Sequence, residues 1–126
     1  MALVKGIHHY CIKAPKEKRP EIEAFYTGLL GLPLKREWEA GYMFDAGNAL
    51  IEVFYTDDEP RPQGTIYHIA LATDDPDACL EAVRKAGYEV KVEPKDIVIP
   101  SKPPVKARIA FAFGPVNEEL EFFCER

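Results

Sequence analysis

The chain is written nearly twice. HYCIKA (residues 9–14) matches HIALAT (68–73), LGLPLK (30–35) matches AGYEVK (86–91), and LIEVF (50–54) matches ELEFF (119–123). Three landmarks repeated in one order define an internal repeat, which constrains the fold more than any single motif: what one half builds, the other builds again.

Within each half, hydrophobic spacing predicts the elements. The stretch IHHYCIKAP reads as a strand, with Ile7, His9 and Cys11 on one face and His8, Tyr10 and Ile12 on the other. Ile22, Phe25, Tyr26, Leu29 and Leu30 then recur at helical spacing, with Pro20 in the first turn and Gly31 past the end. Short strands are expected at 34–38, 42–46 and 49–55, separated by Gly41 and Gly47-Asn48. The second half repeats the order: a strand over 65–72, a helix opened by Asp75-Pro76 and closed by Gly87, then strands at 88–92, near 106–113, and at 120–124. Both halves read βαβββ, repeat one over about 4–56 and repeat two over about 64–125. The halves differ mainly between Pro94 and Val105, where a proline-rich segment reads as a surface arm or a lid over a cleft.

A length of 126 residues suits a single domain, residues 1–126, with a real hydrophobic core. No apolar run approaches the length of a membrane span and no signal peptide opens the chain, so a cytoplasmic protein without membrane attachment is expected. Acidic and basic residues are interspersed at a net charge of −5, which argues against a nucleic-acid surface. The three cysteines, Cys11, Cys79 and Cys124, have spacings of neither a zinc knuckle nor a redox pair and read as reduced thiols.

The repeat also sorts the histidines. Only His9, not its neighbour His8, has a counterpart in the second unit, namely His68; likewise Glu52 pairs with Glu121. Each glutamate sits in an apolar strand, ALIEVFY or LEFF, where an ionised carboxylate costs several kcal/mol unless compensated. A divalent metal ion would compensate it. Two imidazoles and two carboxylates leave two positions open on a six-coordinate ion, which suits Ni, Co, Mn, Fe or Zn better than Ca or Mg, and open positions suit catalysis.

With these residues in view, the chain resembles the vicinal oxygen chelate superfamily, which includes glyoxalase I, methylmalonyl-CoA epimerase, fosfomycin-resistance proteins, extradiol dioxygenases and bleomycin-resistance proteins. The resemblance runs through IHHYCIKA, FYTGLLGLPL, ALIEVFY, YHIALATDDPDACLEAVRKAGYEV and FGPVNEELEFF. It implies an α+β fold in which two βαβββ repeats form a curved, barrel-like mixed sheet around a metal cleft. It also implies His9, Glu52, His68 and Glu121 as metal ligands, in a site formed by both halves of one chain or by halves of two chains in a homodimer, the commoner arrangement for so small a protein.

Within the family the ligand set discriminates. Bleomycin-resistance proteins lack the metal set, fosfomycin-type transferases and extradiol dioxygenases use two histidines and one glutamate, and the epimerase typically has glutamine where Glu52 stands. Two histidines with two glutamates resemble glyoxalase I most closely. That resemblance implies proton transfer through a metal-bound enediolate on a small-molecule substrate such as the hemithioacetal of methylglyoxal, with Glu121 or Glu52 as the base. An epimerase-like enzyme and a non-catalytic small-molecule binding or resistance protein are the alternatives. Arg36, Lys102, Arg108 and Asn117 could hold the carboxylates of a thiol substrate, but no motif places them and surface charge is the better reading; Tyr10, Trp38, Phe44 and Phe111 could be core or pocket wall, with core the better reading.

Overall fold

The structure, a computed structural model, describes residues 7–57, 68–100 and 103–126. The chain forms two compact units, residues 1–60 and 61–126. Unit one contains β1 (His9–Ala14), α1 (Arg19–Glu23), β2 (Leu34–Trp38), β3 (Gly41–Asp45) and β4 (Leu50–Tyr55). Unit two contains β5 (Ile69–Ala72), α2 (Pro76–Lys85), β6 (Val90–Ile99), β7 (Val105–Phe113) and β8 (Glu119–Glu125). The protein is therefore α+β, built from two βαβββ units as the repeat predicts.

Both sheets have the same topology. Their orders are β1-β4-β3-β2 and β5-β8-β7-β6, with the first strand parallel to the last and the other neighbours antiparallel. Each sheet is open, with β1 and β2, or β5 and β6, as its edges.

Strand alternation gives each sheet a helix face and an opposite face. In unit one, Tyr42 pairs with Val53 and Phe44 with Ile51, so these four share the helix face. All are buried, as are Ile22, Phe25 and Tyr26 of the helix, and Tyr26 stacks on Phe44 with ring centroids 5.4 Å apart. The helical segment is less regular than its spacing predicts. A short 3₁₀ turn (Lys16–Lys18) leads into α1, which widens into π-helical turns over Ala24–Leu29, where Leu30 N–H donates to Phe25 O at 3.0 Å. The extra residue in the wide turns still leaves Phe25 and Tyr26 buried. In unit two, Asp75 caps α2 by accepting from Ala78 N–H at 3.0 Å, Pro76 occupies its first turn, and Gly87 ends it at a φ of 92°. Arg108 on β7 grips Asp77 in that first turn through Nε at 2.6 Å and Nη2 at 2.8 Å.

The expectation of a loop from Pro94 onward is corrected. β6 continues to Ile99, pairing Lys95–Ile99 with β7. Pro94 cannot donate to a ladder, which is why the strand reads as ending at Val92. It is accommodated because β6 is an edge strand whose register shifts between Val92 and Lys95. Residues 101–102 of the expected arm lie outside the described residues.

Gly41 is a second tight point. A Cβ there would lie 2.2 Å from the Val53 carbonyl oxygen, a backbone atom that cannot swing away. Gly41→Ala is expected to destabilise the protein by roughly 1–3 kcal/mol in denaturant melts, through overpacking.

Candidate metal centre

Register fixes where the histidines and glutamates fall. Cys11 is the partner of Glu52, and Ala70 the partner of Glu121. In each unit the histidine stands two residues before that partner, so His9 and His68 lie on the same sheet face as their glutamates. The matching offsets make the two pairs equivalent in the fold, as well as in the sequence.

In unit one, His9 Nε2 lies 3.5 Å from Glu52 Oε1; in unit two, His68 Nε2 lies 3.1 Å from Glu121 Oε1. Both glutamates are buried. Burial pushes the Glu121 carboxyl above the usual carboxylate range; His68 opposes that shift and Glu119 adds to it. His9 carries a neighbour on its other nitrogen, with His8 Nδ1 at 2.9 Å from His9 Nδ1. Cys11 shares this face, and its thiol is pushed up to about 11, first by burial and then by Glu52, so it stays protonated at neutral pH.

The spacing fits a metal ion. Nitrogen and oxygen donors lie about 2.1 Å from such an ion, and two donors at right angles around it are then about 3.0 Å apart. Each imidazole–carboxylate pair is close to that separation. Each pair is also the neutral-donor and anionic-donor mixture that intermediate divalent cations take. Among the described residues no group of three or more His, Cys, Asp and Glu is placed to hold a metal ion, so each unit presents a two-donor pair, a candidate half-site.

The surrounding residues divide among core, wall and surface. Phe44 is core, while Phe111 sits edge-on to His68 at 5.3 Å between ring centroids and forms part of that half-site's wall. Trp38 is partly exposed on the face of Glu52, edge-on to Phe54. Tyr10, half-buried, alternates onto the helix face. Arg108 takes the surface-charge reading, because it lies on the helix face and is engaged by Asp77 and by Asp96 at 3.2 Å. Asn117 serves the turn between β7 and β8, at a φ of 65° with its N–H donating to Gly114 O. Lys102 lies outside the described residues. A depression of about 610 Å³ lined by Asp96, Val98, Lys106, Arg108 and Arg126 lies toward the helix face of unit two and does not include His68 or Glu121.

Arg36 is on the half-site face, and a bulge puts it there. Leu34 pairs with Phe44 but Arg36 pairs with Met43, so Lys35 is an extra residue and the two flanking side chains point to opposite faces. Met43 pairs with Glu52, which places Cys11, Glu52, Met43 and Arg36 in one row across the sheet. Unit two has the same bulge at Lys91, between Val90 and Val92. Lys91 Nζ lies 2.6 Å from Glu119 Oε1, and Glu119 Oε2 lies 4.0 Å from His68 Nδ1. Glu119 is a polar residue of the half-site that sequence reasoning missed: the alignment of LIEVF with ELEFF places it opposite Leu50, an apolar position.

The sequence profile of the glyoxalase/bleomycin resistance protein/dioxygenase superfamily matches residues 6–102. The chain belongs to this superfamily. Solved structures agree with it in fold. A glyoxalase family protein from Bacillus anthracis superposes with a TM-score of 0.72 at 23% identity, covering 100% of this chain and 99% of the other. A glyoxalase/bleomycin resistance protein/dioxygenase from Alicyclobacillus acidocaldarius gives 0.69 at 19%, covering 96% and 92%. The fosfomycin resistance protein FosX from Mesorhizobium loti gives 0.70 at 16%, covering 97% and 93%. No curated protein matches the chain. The superfamily takes in enzymes, glyoxalases and dioxygenases among them, as well as resistance proteins, and its members commonly use a divalent metal. Among the described residues of this chain, no helix is long and apolar enough to cross a membrane.

Proposed function

We propose that the chain is a single-domain, divalent-metal-dependent lyase or isomerase of the glyoxalase I type, acting on a small molecule such as the hemithioacetal of methylglyoxal. The observation that carries this reading is the recurrence of one buried glutamate facing one imidazole nitrogen at equivalent register in both repeats. His9, Glu52, His68 and Glu121 are proposed as the four-donor set, within one chain or across a dimer. When bound, a divalent ion supplies Lewis acidity toward two neighbouring substrate oxygens and eases loss of the proton on the carbon between them.

The chain's own groups do the rest. Glu121 or Glu52 takes the proton from one carbon and returns it to the next, which converts the hemithioacetal to a lactoyl thioester without any other reactant. The apolar strands around both glutamates limit the water that would compete for that proton. Arg36 suits the anionic end of the substrate: it is exposed on the Glu52 face and has no ion-pair partner among the described residues, whereas Arg19, Arg84 and Arg108 all hold carboxylates. The interspersed charge fits a protein with no nucleic-acid partner, and a cytoplasmic homodimer is proposed on the family resemblance alone.

The test is an assay of methylglyoxal with several thiols after adding back Ni, Co, Mn or Zn. Lactoyl thioester formed only with metal supports the reading; its absence with every thiol and metal counts against it. Arg36→Ala is expected to raise KM about tenfold or more for an anionic thiol and to leave kcat nearly unchanged, the pattern of lost uniform binding. A fall in kcat with KM unchanged would place Arg36 elsewhere.

A further inference from the structure

Three carboxylates are buried among the described residues, and only two of them face the Nε2 atoms. Glu119 is the third, and its side chain is wholly shielded from solvent. It lies behind His68, on the Nδ1 side of the ring, while Glu121 lies in front of Nε2. Burying an anion so completely is costly unless it is held, and Lys91 holds it at 2.6 Å. The β6 bulge makes that contact: Lys91 is the extra residue between Val90 and Val92, so its side chain is free of the strand alternation.

We infer that Glu119, held by Lys91, is a positioning residue for His68. The inference rests on reading His68 and Glu121 as metal ligands. A neutral imidazole has one N–H, and the Glu119 carboxylate, at 4.0 Å beyond hydrogen-bond reach of Nδ1, favours the proton there through its charge, which leaves the Nε2 lone pair aimed toward Glu121 and the ion. His68 then binds the ion without first having to reorient or lose a proton from Nε2. Repeat one lacks this device. Leu50 is the strand partner of His9, and Glu119 occupies the corresponding place, one residue before the Ile69–Leu120 pair that His68 also precedes. His9 has instead the exposed ring of His8 at its Nδ1. The two half-sites are thus equivalent in their ligands and unequal in their support, and the half-site of repeat two holds the ion more firmly.

The experiment is calorimetric titration of the full chain with Zn or Co, comparing wild type with His68→Ala, Glu119→Gln and the double variant Glu119→Gln/Lys91→Met. Glu119→Gln is expected to weaken metal binding by about 10–100-fold. The double variant strands no buried charge, so it separates positioning from mere ion pairing. Positioning predicts that its affinity stays low; recovery to the wild-type value would make the pair structural and overturn the inference. If His68→Ala loses affinity while Glu119→Gln keeps it, the inference fails and the ligand reading stands. If His68→Ala binds like wild type, both fail.

Discussion

Glu121→Gln should lower turnover of a dicarbonyl-derived substrate by about 10²–10⁴-fold, the usual contribution of a general base, while the protein still takes up metal. The amide keeps a donor oxygen and nearly the same shape in the space that β7 and β8 leave around Glu121, but it cannot accept the substrate proton. Glu52, the equivalent glutamate of repeat one, is the alternative base. Stopped-flow or steady-state rates for Glu121→Gln and Glu52→Gln, measured beside metal content, check this. A larger loss in Glu52→Gln would give the base to Glu52, and full activity in both would remove the glutamates from the chemistry.

Phe44→Ala should cost about 3–5 kcal/mol of stability, the range for deleting a buried aromatic ring. Phe44 is wholly buried on the helix face of unit one, stacked on Tyr26 and edge-on to Tyr42 at 5.5 Å. Its loss leaves a cavity where α1 and the π-helical turns meet β3. Because Glu52 points to the other face of the same sheet, the damage is to folding and not to the donor geometry. Denaturant unfolding reads the first effect. Metal affinity per folded molecule, unchanged from wild type, reads the second.

The contrast between these two residues shows what the sequence could carry. The βαβββ order was legible because turns, caps and alternation all repeat, and because two degenerate signals in the same order reinforce each other. The paired histidines and glutamates were legible for the same reason: a glutamate in an apolar strand is ambiguous once, and its recurrence at one place in both repeats marks it as a candidate. What could not be read was anything that depends on a break in alternation. The bulge at Lys35 moves Arg36 to the face of Glu52, where simple alternation from Leu34 would have put it on the helix face, whereas unbroken alternation on β7 leaves Arg108 on the helix face. Pro94 concealed the outer part of β6, since its tolerance depends on that strand being an edge. Glu119 was hidden because its counterpart in the other repeat is Leu50, and because the lysine that holds it is far away in sequence.

The account stands or falls on metal. Elemental analysis of the purified protein after loading with Ni, Co, Mn or Zn, wild type beside His68→Ala, tests it most directly. Near-stoichiometric metal in the wild type that falls sharply in His68→Ala is the predicted result. No metal under any loading condition would contradict it, and would make the paired histidines and glutamates structural features of a binding protein.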